Sequence, residues 1–256
     1  MKIGSTLRVV GVIVFAGLVS GCAHVPPASD PAGRAAFLEN NDRLEPMNRV
    51  MFKIDQAADK AIIHPVISTY HHVVPDRARK GLLTFKHNIS EPVTFVHNIL
   101  QGSPGAAGRT FARFVMNSTI GFFGFFDVAE KAGMPFRSED FGQTLAVWGV
   151  GEGSYVYVPF LGPTTIRDGI GLGIDSFFVD PIAWYSYNPH NAQWVQWAEL
   201  GLIYVTEKDD NMEALDELRK SSIDYYAALR SAFRQIRASE IRNGAPPPME
   251  DLDAPQ

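Results

Sequence analysis

The chain is 256 residues long, 46% hydrophobic and 20% charged, with a formal net charge of −5. This is enough chain for one large or two small domains with a real core, and too apolar a composition for a disordered one. Acid in excess, with Lys and Arg scattered rather than blocked, excludes a nucleic-acid surface. Aromatic residues reach 11%, with 17 Phe, which fits a protein that presents apolar surface to something.

The N-terminus points to a compartment. Lys2 and Arg8 form a basic start and Val9–Gly21 is uncharged and mostly apolar. That run suits a signal peptide and falls short of the roughly 20 residues a spanning helix needs. It ends in Val19-Ser20-Gly21-Cys22, small residues before a cysteine, which resembles the bacterial lipobox. Residues 1–21 therefore read as a lipoprotein signal peptide and Cys22 as the lipid attachment site. Cys22 is the only cysteine, so neither an intramolecular disulfide nor a cysteine metal cluster can form. Acyl chains contribute about 0.8 kcal/mol per buried CH₂, so several of them hold a protein on a membrane. Ala rather than Asp at residue 23 resembles the sorting signal for the outer membrane. Cleavage would remove two of the 23 cations and none of the 28 acids, taking the charge to −7. Residues 22–41, Pro-rich and polar, read as a flexible tether.

From Asp42 onward the pattern is mainly helical and punctuated by prolines. Met47, Val50, Met51, Ile54 and Ala58 recur at helical spacing behind Pro46. Pro65 ends that helix or opens the next, and Pro75 punctuates again. Ala78, Leu82, Phe85 and Ile89 share one face, and Pro92 is expected to start a short helix ending at Leu100. Residues 101–105 form a loop, and Ala106–Asn117 is amphipathic through Ala107, Phe111, Phe114 and Val115. Next comes NSTIGFFGFFD, residues 117–127, with four Phe and two Gly in six positions. As a helix it would reach only halfway through a hydrocarbon core. Its rings would cover too many sides for one buried face, so it is either enclosed or faces lipid; an anchor at Cys22 favours lipid.

Leu145–Phe160 holds two β-prone runs around Gly151-Glu152-Gly153, a small β-hairpin signal. Gly169, Gly171 and Gly173 weaken any helix there and imply close packing or a bend. Ala192–Thr206 and Met212–Arg242 read as helices and residues 243–256 as a disordered tail. Residues 42–242 thus form a single domain, with no internal repeat.

No catalytic set emerges. Ser154 lacks the second glycine of a nucleophile elbow, the pair Gly-Lys of a phosphate-binding loop never occurs, and the glycines at 169–173 follow no strand. His71-His72, His87, Glu91 and His97 match no metal spacing and read as surface or capping groups. The chain is accordingly expected not to be an enzyme and to need no cofactor beyond the lipid on Cys22. Arg109 and Arg113, one helical turn apart, would either contact lipid phosphates or form a solvated face. Arg167 and Asp168 would either line a watery passage or tie a loop and cap a helix.

Longer blocks carry a resemblance. LEPMNRVMF (44–52), EPVTFVHNILQG (91–102), RFVMNSTIGFFGFFDVA (113–129) and EDFGQTLAVWGVGEGSYVYVPFLGPTTIRDG (139–169) strongly resemble the MlaA (VacJ) family of outer-membrane lipoproteins, as does SIDYYAALRSAFRQIR (222–237). The likeness spans residues 41–237. Arg43, Met47, Ala146 and Ser154 depart from the usual text, which touches loop geometry rather than membership. The resemblance implies an all-α fold, mainly a flat ring of short helices in one membrane leaflet around a central amphipathic channel. It implies a non-enzymatic phospholipid conduit that clears mislocalised phospholipid from the outer leaflet, with a porin trimer and a periplasmic lipid-carrier protein as partners. The location implied is the periplasmic side of the outer membrane. On it, Phe122, Phe123, Phe125 and Phe126 would face the membrane. Gly149, Gly151, Gly153, Tyr155 and Pro159 would form a channel-side loop, with Arg167 and Asp168 as polar lining. The alternative is a structural lipoprotein that stabilises porins or the envelope.

Overall fold

The computed structural model describes residues 40–188, 191, 192 and 194–245, and before them only 29, 30, 33, 34 and 37. The signal peptide, Cys22, most of the tether and residues 246–256 lie outside the described residues. Helix α1 (Glu45–Ala58) runs through a π-helical turn (Asp59–Ile63) into α2 (His64–Val73). Pro65 sits in the first turn of α2, where its missing N–H costs least, so it opens a helix rather than ending one. The π turn just before it is the local unwinding that accommodates the ring within one continuous rod.

Helix α3 is a single rod, Asp76–Leu100, with Pro92 inside it. The expected break at Pro92 does not occur: packing along the whole of α4 (Pro104–Thr119) outweighs one lost backbone hydrogen bond. The chain then passes through turns at 120–126 into α5 (Val128–Lys131), an extended stretch and α6 (Phe141–Val147), capped by Asp140 Oδ1, which accepts from the Gln143 amide at 2.9 Å.

The hairpin exists one step later than expected. Leu145–Val147 belongs to α6, whereas β1 (Tyr155–Val158) pairs antiparallel with β2 (Gly162–Thr165), Tyr155 opposite Thr165 and Val158 opposite Gly162. Thr165 caps α7 (Ile166–Ile174). A Cβ on Gly171 would lie 2.4 Å from the Gly142 nitrogen, so α7 packs closely on α6 there, whereas a Cβ on Gly169 or Gly173 would meet nothing within 4 Å. A second π-helical turn (Asp175–Val179) leads to α8 (Pro181–Tyr187), α9 (Trp194–Ser221) and α10 (Tyr225–Ile241). The break between the last two helices falls at 222–224, not at 207–211. The fold is thus all-α with one small hairpin.

Burial runs opposite to that of an ordinary water-soluble domain. Among the described residues, seven hydrophobic side chains are buried against 22 polar or charged ones, while 33 large hydrophobic residues are exposed. The apolar core proper is Tyr155, Tyr157 and Tyr226, packed by Met51, Phe52, Leu229 and Phe233, which ties α1, the hairpin and α10 together. Polar groups elsewhere hold helix to helix by hydrogen bonds, and apolar groups face outward.

Candidate functional site: an aromatic turn and an apolar cavity

The Phe-rich stretch is not a helix. The amide of Gly124 donates to Asn117 O at 2.8 Å and that of Phe126 to Gly121 O at 2.9 Å, folding the chain back over the end of α4. Phe122 and Phe123 adopt the left-handed region, with φ of +52° and +58°, at a cost of about 1–2 kcal/mol each. Glycine permits the close approach: a Cβ on Gly121 would lie 2.3 Å from Phe126 O, and one on Gly124 2.4 Å from Asn88 Cβ. The strain has one visible result. Phe122, Phe123 and Phe126 stand 64%, 66% and 62% exposed, while Phe125 is 36% exposed and stacks on Phe85 with ring centres 4.9 Å apart.

A buried polar cluster pins the turn. Asn117 Oδ1 accepts from the amides of Val128 (2.9 Å) and Ala129 (3.0 Å), and its Nδ2 donates to Asp127 Oδ1 (3.0 Å). Arg113 Nη2 donates to Asp127 Oδ2 (2.9 Å), Nε to Glu91 Oε1 (2.7 Å) and Nη1 to the Met134 carbonyl. Asn88 Nδ2 donates to Ser118 Oγ (2.9 Å), and Thr84 Oγ1 to the Phe125 carbonyl (3.0 Å). Arg113 is therefore no phosphate contact: it is 3% exposed and all its donors are directed inward. Arg109, one turn earlier, remains exposed.

Burial pushes the Glu91 carboxyl up to about 7, against the pull of Arg113. Its Oε2 has no partner. Burial acts the same way on Asp127, but hydrogen bonds from Arg113, the Glu130 amide and Asn117 outweigh it and hold that carboxyl below its usual range. His72 is exposed in the last turn of α2, as expected, but two other histidines are not surface groups. His97 is fully buried, with Nε2 2.8 Å from Asp175 Oδ1 and Nδ1 3.0 Å from Thr144 Oγ1. His87 stacks on Phe136 at 3.9 Å, and burial lowers it to about 4.

The expected channel-side loop divides. Gly149, Gly151 and Gly153 are exposed and Pro159 half-buried, but Tyr155 is 1% exposed and belongs to the tyrosine core. Arg167 and Asp168 are buried. Arg167 Nε donates to Asp168 Oδ1 at 3.0 Å. Arg237 reaches Asp168 Oδ2 at 3.1 Å and both carboxylate oxygens of Asp140 at 2.7 Å. The pair thus ties α7 to α6 and α10, Asp168 being held by Arg167 and by the same Arg237 that grips Asp140.

A cavity of about 730 Å³ lies elsewhere, between the π turn after α1, α2, the hairpin turn, α9 and α10. Ile67, Ile203, Leu215, Leu229 and Phe233 make much of its wall, and Phe160 to Pro163 reach it from the hairpin. None of the seven residues expected at the channel lines it. A second exposed aromatic group also escaped the sequence reading: Phe177, Phe178, Trp184, Trp194 and Trp197. Its signal was available, since three of the four tryptophans fall between 184 and 197, and Trp favours membrane–water interfaces. No helix among the described residues is long and apolar enough to cross a membrane.

A family profile described as MlaA lipoprotein matches residues 40–240. The chain belongs to the MlaA lipoprotein family. It is 31% identical over 252 residues to the Escherichia coli K12 protein called intermembrane phospholipid transport system lipoprotein MlaA, covering 97% of this chain and 94% of that one. It is 29% identical to the protein of the same name from Haemophilus influenzae, with 93% and 92% covered. A solved structure described as "Structural basis for maintenance of bacterial outer membrane lipid asymmetry" matches at a TM-score of 0.67 and 30% identity, over 78% of this chain and 98% of that one. The family thus joins a phospholipid-transport name to a fold whose apolar groups face outward.

Proposed function

We propose that this MlaA-family chain is a non-enzymatic phospholipid conduit, anchored through Cys22 on the periplasmic side of the outer membrane and seated in one leaflet. It would let mislocalised phospholipid leave the outer leaflet, with a porin trimer at its edge and a periplasmic carrier receiving the lipid. The observation that carries this is the reversed burial: polar groups inside, and Phe122, Phe123, Phe126, Trp184, Trp194 and Trp197 outside. In water that surface would be an aggregation liability; in a leaflet it is solvated. A phospholipid's two acyl chains carry roughly 30 methylenes, whose exposure would cost on the order of 24 kcal/mol. A route for lipid must therefore be shielded throughout, and the cavity supplies an apolar wall.

Outer-leaflet phospholipid content, measured in cells lacking the protein and after re-expression, tests the conduit. Surface phospholipid rises on deletion and falls on rescue if it is one. An unchanged outer leaflet would leave a structural lipoprotein in its place. Cys22→Ala is expected to lose outer-membrane fractionation, and normal fractionation would overturn the anchor.

A further inference from the structure

The cavity's wall is mostly apolar, with a polar stretch where α9 faces the π turn after α1. Asp59, in the π turn after α1, faces two cations on α9: Arg219 Nη2 at 3.0 Å and Lys208 Nζ at 3.9 Å, the second beyond hydrogen-bonding distance. Lys208 makes no hydrogen bond among the described residues, and its ammonium lies 5.8 Å from the centre of the Tyr204 ring. The Tyr204 hydroxyl and Arg219 Nε are buried without a hydrogen-bond partner. Burial first, then Asp55 and Asp59, raise the Tyr204 phenol above its usual range, so it is a donor at any physiological pH. Asp59, Lys208, Tyr204 and Arg219 all line the one cavity.

Neighbouring acids are otherwise engaged. Asp55 accepts from Tyr157 Oη and the Phe160 amide, at 2.7 and 2.8 Å, and Glu207 pairs with Lys86. Asp216 stands 4.0 Å from Arg219 Nη1. Four acids and two cations line the cavity, and Arg219 Nη2 also donates to Gln56 Oε1 at 3.0 Å, yet Tyr204 Oη and Arg219 Nε remain without an acceptor. Buried donors without partners cost free energy, and where they persist in a native protein they mark a place for an acceptor from outside. The acceptor wanted here has several oxygens and negative charge, and is attached to something that covers Ile203, Leu215 and Phe233. Free phosphate would meet the donors and leave the wall bare. A neutral diacylglycerol would cover the wall and leave the cations unmet.

We propose that Tyr204, Lys208 and Arg219 form the phosphate subsite of a diacyl phospholipid whose chains lie in this cavity. The proposal rests on the conduit reading and names its headgroup contact, which moves from the arginines of α4 to α9. The group read is the phosphodiester that all phospholipids share.

Titration of the purified protein in detergent with dioctanoyl phosphatidylethanolamine, dioctanoylglycerol and inorganic phosphate tests it. The phosphatidylethanolamine is expected to bind at least tenfold tighter than the dioctanoylglycerol, and inorganic phosphate not measurably at matched concentration. Tyr204→Phe and Lys208→Met should each weaken phosphatidylethanolamine about tenfold, the effect of one hydrogen bond to a charged group. Both should leave dioctanoylglycerol binding and Tm unchanged. Equal affinity for the two lipids, variants that bind like the wild type, or phosphate binding as tightly as the lipid would each overturn the subsite. Leu215→Trp, which fills the cavity, separates the two readings. Loss of both lipids with Leu215→Trp, beside unchanged binding in Tyr204→Phe and Lys208→Met, sinks the subsite and leaves the conduit. A wild type that binds neither lipid and does not restore the outer leaflet in cells sinks both.

Discussion

Two stretches of this chain look alike as text and behave oppositely. Residues 117–127 and 149–160 are both rich in glycine and aromatics, yet the first pushes three Phe rings outward while the second buries Tyr155 and Tyr157 in the core. The difference lies in what holds each backbone. The first is pinned from beneath by Arg113, Asn117, Asp127 and Asn88, which occupy the inner side and leave the rings no place but out. The second is fixed by Asn48, whose Oδ1 accepts from the Tyr157 amide at 3.0 Å and whose Nδ2 donates to Tyr155 O at 3.1 Å. Held this way, β1 turns its alternate residues 155 and 157 toward Phe52 and Tyr226. The polar side chains beneath each segment, some local like Asn117 and some distant like Asn48, decide whether its rings face outward or into the core.

Substitution of the pins breaks the contrast most severely. Arg113→Ala leaves Glu91 and Asp127 buried without their cation, so a loss of about 3–5 kcal/mol is expected. Denaturation in detergent measures it, and a loss below about 1 kcal/mol would remove the cluster's claim to hold the turn.

Protonation of Glu91 gives the next effect. The folded chain keeps this proton up to about pH 7, whereas the unfolded chain releases it in the ordinary carboxyl range. Stability should therefore fall as pH rises from about 4.5 to about 7, by on the order of 3 kcal/mol. Glu91→Gln should flatten that slope; an unchanged slope would place its origin in another group.

The outward rings come third. Phe122→Ser should leave Tm nearly unchanged and weaken partition of the delipidated protein into vesicles by about 1.5–3 kcal/mol, the contribution of one fully buried Phe. Vesicle flotation reads it, and a Tm loss with unchanged flotation would mean that the ring packs inside the protein.

Smallest is the pair of hydroxyls in the buried stretch. Tyr155 Oη has no partner, so Tyr155→Phe is expected to be neutral or mildly stabilising. Tyr157→Phe strips a hydrogen bond from the Asp55 carboxylate and should cost about 1–3 kcal/mol. Equal losses would show that ring packing, not the hydroxyls, separates the two tyrosines.

Local properties of the sequence were legible. Period-3.6 apolar spacing located α1, α3 and α4, one of three spaced glycines, Gly171, marked the contact of α7 on α6, and the long blocks named the family. What failed depended on partners out of sight. Pro92 looks like a helix start because local reasoning counts the lost hydrogen bond and not the length of α4 packed alongside. Arg113 looks like a surface cation because its partners, Glu91 and Asp127, lie 22 and 14 residues away. Tyr155, Arg167 and Asp168 were expected at a channel because the block around them is distinctive, yet distinctive text also marks a core tyrosine and an ion-paired helix start.

By itself, then, the sequence determined that this is a mainly helical protein of the MlaA lipoprotein family with a leader like that of a lipoprotein, because periodicity, capping residues and motif order are written along the chain. Only the tertiary structure decided that the Phe segment is a strained turn, that the arginine beneath it is buried, and that the apolar cavity with its donors sits on α9. Those depend on which distant acid meets which cation, and that pairing exists only once the helices are packed.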